Sequence, residues 1–269
     1  MKIGVFDSGL GGLVVLRSLT KALPDYDYIY LGDIARVPYG NRSPEIVYQF
    51  LEEAVDFLFR KEKCSLIVVA CNTASAEALR RVQQRYLPAH YPGRRVLGVI
   101  IPTAEQALAG SAGKGLHRIG VLATQGTVAS GAYVRELKKI DSRVRVYQNA
   151  APLLVPLIEN NEKHLAAPFI KKYLRPLLRQ KVDAVILGCT HYPLFKREIR
   201  DAAPGVRIIS QDELIARKLR SYLERHPEID RRLSKNGTAK LLVTDATKAA
   251  RWHIKKWFGG NAVVRKIIL

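Results

Sequence analysis

Apolar residues in this chain fall into short continuous runs separated by stretches of helical spacing. That pattern predicts strands buried on both faces, alternating with helices. The sharpest run, Leu66-Ile67-Val68-Val69-Ala70, stops at Cys71-Asn72-Thr73 before a helix expected from Ala74 to Tyr86. A second run from Val182 to Gly188 ends the same way, in Cys189-Thr190-His191. Each is preceded by an Ile-Gly-Val strand: 68 positions separate Ile3 from Cys71, and 70 separate Ile119 from Cys189. The pattern therefore predicts two related α/β halves with mostly parallel sheets. Each half presents a cysteine at a strand's carboxyl end, where open α/β sheets place their ligands.

The remaining punctuation fills in this plan. A strand over 2–6 leads through Asp7-Ser8-Gly9-Leu10-Gly11-Gly12 into a helix over 13–23. Val14 stands where a dinucleotide-binding turn wants its third glycine, and Asp7 would repel a pyrophosphate. A strand over 28–31 precedes a loop fixed by Pro38 and Gly40, and Ser43-Pro44 caps a helix running toward Lys61. Cys64, in a charged setting ahead of the Cys71 strand, reads as structural. A strand over 96–101 is expected to end at Pro102, with a helix over 103–109 and a flexible glycine-rich loop over 110–115. Further strands are expected over 144–148, 207–210 and 240–244, and a final helix over 246–258.

Composition narrows the class. The 269 residues are 48% hydrophobic, ordinary for a globular protein, and no apolar run is long enough for a membrane span. An acid at Asp7 comes too early for a signal peptide, and three cysteines do not make a disulfide framework. A cytoplasmic protein is expected. The net charge of +20 raises the question of nucleic acid, but the basic residues are dispersed as pairs such as Arg80-Arg81 and Lys171-Lys172. Such dispersion reads as solvated helix faces. Nucleic acid is not expected as a main partner, although the charge leaves it open.

The chemistry rests on the cysteines. Structural zinc wants closely spaced ligand pairs, which are absent here, so no metal is expected. A nucleophilic Cys189 served by His191 would leave Cys71 idle. Two cysteines on matched strand ends suit proton transfer at both faces of one carbon. One thiolate removes a proton while the opposite thiol donates one. Helix N-terminal amides and a neighbouring acid-base group can assist each thiol, Asp7 on the first side and His191 on the second.

The segments Gly4-Val5-Phe6-Asp7-Ser8-Gly9-Leu10-Gly11-Gly12, Val37-Pro38-Tyr39-Gly40, Val69-Ala70-Cys71-Asn72-Thr73-Ala74-Ser75, Val155-Pro156-Leu157-Ile158-Glu159 and Gly188-Cys189-Thr190-His191-Tyr192-Pro193-Leu194 stand in this order. With them the chain resembles the glutamate racemases over nearly its whole length. The resemblance implies a cofactor-independent isomerase that makes D-glutamate for peptidoglycan and is commonly a homodimer. Cys71 would deprotonate D-glutamate with help from Asp7, and Cys189 would deprotonate L-glutamate with help from His191. Ser8, Tyr39, Gly40, Asn72, Thr73, Thr127 and Thr190 would hold the substrate, and Glu159 would complete the second side. The family fold implies a first domain of 1–97 plus 210–269, a second of 98–209, and an active site in the cleft between them. Ala151 replaces a cysteine frequent in the family, and the segment 209–212 is somewhat divergent.

Overall fold

Strands that are apolar on both faces need helices on both sides, and the computed structural model has that architecture. It describes residues 1–109, 117–259 and 263–269; the loop expected over 110–115 lies outside them. Among the described residues, ten strands form two sheets, and every pairing is parallel. The first sheet contains β1 (Lys2–Asp7), β2 (Tyr28–Gly32), β3 (Cys64–Val69), β4 (Arg95–Gly98), β9 (Ala239–Val243) and β10 (Val264–Lys266), in the order β10-β9-β2-β1-β3-β4. The second holds β5 (Arg118–Ala123), β6 (Arg145–Ala150), β7 (Ala184–Gly188) and β8 (Arg207–Ile209), in the order β6-β5-β7-β8. The segment β2-β1-β3-β4 thus has the same winding as β6-β5-β7-β8. In both, the chain reverses its direction of travel across the sheet at the strand that opens the half. Ligands gather at the carboxyl ends of strands at such a reversal.

The repeated Ile-Gly-Val has a packing cause. Gly4 faces Ile67, Cys64 and Leu58 of the helix Pro44–Arg60. Gly120 faces Val185, Val182 and Leu177 of the helix Ala166–Arg179. A Cβ would stand 3.1 Å from its nearest neighbour at Gly4 and 3.2 Å at Gly120. Bare backbone at matched positions lets a helix lie close on each opening strand.

One apolar cluster runs through both halves. It joins Leu10 and Leu13, Leu154 and Ile158, and Leu219 and Leu223 of the helix Gln211–Arg225. The segment leading to β9 is tied to the first sheet by Asp27, which accepts from the Thr238 N–H at 3.0 Å, the Thr238 hydroxyl at 2.6 Å and Asn236 at 2.6 Å.

Several boundaries differ from the sequence pattern. Cys64 begins β3 instead of preceding it, and it is fully buried against Gly4. The helix after Cys71 begins at Asn72, because the Cys71 sulfur itself caps it by accepting from the Ala74 N–H at 3.4 Å. Pro102 lies in the first turn of the helix Ile100–Leu108, where no N–H is needed, so β4 stops earlier, at Gly98. The edge strand β10 is too short to register as a pattern. Among the described residues, no helix is long and apolar enough to cross a membrane.

Candidate active site

Four strand ends converge. Ser8 follows β1, Cys71-Asn72-Thr73 follow β3, Thr124-Gln125 follow β5, and Cys189-Thr190-His191-Tyr192 follow β7. With the loop 37–41 and residues of the segment 152–160 they enclose a cavity of about 350 Å³. No lysine or arginine lines it among the described residues. Among the described residues, no group of three or more His, Cys, Asp or Glu side chains is arranged to hold a metal ion.

Of the residues singled out from the sequence, Ser8, Tyr39, Gly40, Cys71, Asn72, Thr73, Glu159, Cys189, Thr190 and His191 line this cavity. Asp7 and Thr127 do not; both are buried one layer behind the wall. Thr127 is linked to the cavity through Thr124, whose hydroxyl donates to it at 2.9 Å. Thr124 is the residue that lines the wall, and its hydroxyl lies 3.0 Å from that of Thr73 across the two halves. Tyr39 presents its ring and backbone, because its hydroxyl is taken up donating to Asp33 at 2.5 Å.

On the first side the Cys71 sulfur lies 3.2 Å from the Ser8 hydroxyl and faces the helix amide of Ala74. Burial pushes this thiol up to about 12, and the nearby charge of Asp7 adds to the rise. The Ala74 N–H and Ser8 pull the other way. Cys71 therefore carries its proton at neutral pH. Asp7 reaches Cys71 through charge alone. Its carboxylate accepts from the Gly9 N–H at 3.1 Å and from the Thr190 hydroxyl of the opposite half at 3.3 Å. Burial raises its affinity for a proton, and the charge of His191 opposes that rise.

The second side is a relay. His191 Nδ1 lies 3.9 Å from the Cys189 sulfur, and Nε2 donates to Glu159 at 2.9 Å. Burial alone would lower the imidazole pKa, but bonds to Cys189 and Glu159 outweigh it and push the value up to about 10. An imidazolium thus sits beside the sulfur at neutral pH. Glu159 is held below the usual carboxylate range, with His191 and His253 overcoming its burial. Two residues that the sequence pattern left unmarked brace this relay from the helix Lys248–Trp257. His253 Nε2 donates to the Glu159 carbonyl at 2.7 Å, and Trp257 meets the His191 ring edge-on at 5.7 Å. Their helix reads as an ordinary amphipathic surface helix, and only the tertiary fold brings it here.

Gly11 packs directly on the relay. A Cβ there would stand 2.3 Å from the Thr190 hydroxyl and 2.5 Å from His191 Nδ1. Gly11→Ala is expected to displace the imidazole from Cys189 and lower kcat about 10²-fold while the protein stays folded. Steady-state kinetics beside a thermal melt would check this, and unchanged kcat would refute the contact.

The sequence and the fold are similar to those of known racemases. The model of the Asp/Glu/Hydantoin racemase family matches residues 4–219. The chain is 41% identical over 261 residues to the glutamate racemase of Aquifex aeolicus, covering 96% of this chain and 94% of that one. Its fold superposes on a glutamate racemase isoform from Bacillus anthracis with a TM-score of 0.87 at 34% identity, covering 100% of this chain and 97% of the other. The TM-score is 0.86 at 32% identity with the Francisella tularensis glutamate racemase, solved in complex with D-glutamate, over 99% and 97% of the two chains.

Proposed function

For a chain that belongs to the glutamate racemases of the Asp/Glu/Hydantoin racemase family, we propose interconversion of L- and D-glutamate by two opposed cysteines, without metal or organic cofactor. The observation that carries this reading is the pair Cys71 and Cys189, on equivalent strand ends of two equally wound sheets, lining one cavity. The domain division drawn from the sequence, 1–97 with 210–269 against 98–209, belongs to the same reading, with the cavity at the junction.

In the L-to-D direction, the Cys189 thiolate removes the α-proton of L-glutamate. The electron pair left on Cα is delocalised into the adjacent carboxylate. The Cys71 thiol then donates its proton to the opposite face, leaving Cys71 as thiolate and Cys189 as thiol. The reverse reaction exchanges these roles. The proton that Cys71 holds in the ligand-free protein fits it to act as the acid, and the His191 imidazolium attracts negative charge on Cys189. The substrate carboxylates meet hydroxyls and N–H groups from Ser8, Asn72, Thr73, Thr124 and Thr190 in place of lysine or arginine. Asp7 acts from behind the wall on both sides, by charge on Cys71 and by its bond to Thr190.

The wider reading is a cytoplasmic homodimer that supplies D-glutamate for peptidoglycan. This reading gives nucleic acid no main role, and the net charge of +20 leaves that question open. The test is the circular dichroism of pure L-glutamate, and separately of pure L-aspartate, incubated with the protein, a thiol reductant and a chelator. Decay of the glutamate signal to zero with aspartate unchanged is expected. Decay of aspartate alone would move the substrate, and a stable signal in both would overturn the reading.

A further inference from the structure

Asn72 lines the cavity beside Cys71, and its carboxamide does not choose its own orientation. The Asn72 Oδ1 accepts from Gln211 Nε2 at 2.7 Å and from the Tyr133 hydroxyl at 2.8 Å. Its Nδ2 donates one hydrogen to Gln211 Oε1 at 2.8 Å. Gln211 Nε2 also donates to the Tyr133 hydroxyl at 2.9 Å, closing the ring of bonds. Gln211 and Tyr133 are fully buried, Asn72 nearly so, and neither Gln211 nor Tyr133 lines the cavity. Three segments meet here. Asn72 opens the helix after β3, Tyr133 lies in the helix Ala132–Ile140 of the second half, and Gln211 is the first residue of the helix Gln211–Arg225.

We infer that Gln211 is a positioning residue that fixes which end of the Asn72 amide meets the substrate. The two lone pairs of Oδ1 are occupied by Gln211 and Tyr133. One N–H of Nδ2 has no protein partner among the described residues, and it belongs to a side chain that lines the cavity. Asn72 is therefore set to donate to a carboxylate oxygen. Turning the Asn72 amide alone would offer the substrate a carbonyl oxygen and set oxygen against oxygen and N–H against N–H across the buried contact with Gln211. A carboxylate is common to both enantiomers, so this setting acts on the affinity for both.

This inference rests on the racemase reading, and a double-mutant cycle separates the two. Gln211→Leu keeps the side-chain bulk and removes both bonds to Asn72. It is expected to raise KM for L- and D-glutamate about 10- to 100-fold, with kcat changed less. In an Asn72→Ala background the same substitution is expected to change kcat/KM less than about threefold, because the group it positions is gone. Equal effects in the two backgrounds, or an unchanged KM in the single variant, would overturn the assignment. Should Gln211→Leu fail to fold, Gln211→Met, which keeps the length of the side chain and removes the same two bonds, completes the cycle. Coupling to Asn72 there supports the inference, and additivity overturns it. Wild-type turnover in the same assay is the control. Its absence removes the racemase reading and this inference with it, whereas additivity in an active enzyme removes only the role given to Gln211.

Discussion

Cys71→Ser and Cys189→Ser are each expected to lower racemisation by about 10³-fold or more. A hydroxyl is a far weaker acid than a thiol, so serine at either position neither gives up nor accepts the α-proton at useful rates. L- and D-glutamate are mirror images, so their equilibrium constant is unity. In every variant kcat/KM therefore falls equally in the two directions, and steady-state rates alone do not assign a cysteine to an enantiomer. Exchange does. In deuterium oxide the Cys189→Ser variant, which keeps Cys71, is expected to exchange the α-hydrogen of D-glutamate only. The Cys71→Ser variant should exchange that of L-glutamate only. Mass spectrometry of recovered substrate reads both. Exchange of the wrong enantiomer would reverse the assignment, and wild-type rates would end the two-base reading.

The second large effect concerns His191. Its imidazolium persists to about pH 10 in the folded protein, against 6.5 for the free side chain. Wild-type activity is therefore expected to fall as pH rises through about 10, when the positive charge beside Cys189 is lost. His191→Asn should show a rate about 10²-fold lower and lack that fall. Folding carries the same signature. A folded pKa above the unfolded one contributes stability that is fully present below about pH 6.5 and is lost as pH rises toward about 10. Thermal midpoints of wild type and His191→Asn should thus differ most at low pH and converge on the alkaline side. A wild-type profile parallel to that of the variant throughout would show that His191 does not titrate in this way.

The parts of the molecule legible in the sequence are those where one chemical pattern fills a whole element. The stretches 66–70 and 184–188, which end at Cys71 and Cys189, are apolar throughout because β3 and β7 are covered on both faces. Their abrupt polar ends mark the cavity wall. β10, with three residues, carries too few positions to show a period and is the strand the pattern leaves out, whereas β4 and β8 are expected and differ only in their ends. Pro102 looks like a terminator because proline ends strands and opens helices alike. Within the site, side chains on the turns were readable because turn position and chemistry coincide. Depth was not. Asp7 and Thr127 have the right groups but stand behind Thr190 and Thr124, a distinction that only packing makes. Gln211, His253 and Trp257 belong to segments distant in sequence from the cysteines, and their contact with the site exists only after the chain has returned.

That return has a consequence for synthesis. Every described residue that lines the cavity precedes position 193. A nascent chain released at that point would hold both cysteines and the whole His191 relay. It would lack Gln211 behind Asn72, β9 along the open edge of β2, and Trp257 against His191. Long-range pairings of this kind form only when the later partner has emerged. The described lining of the cavity thus comes from the first three quarters of the chain, and the last quarter packs behind it. A chain ended at position 193 is expected to carry both cysteines and His191 and to show no racemisation in the circular dichroism assay.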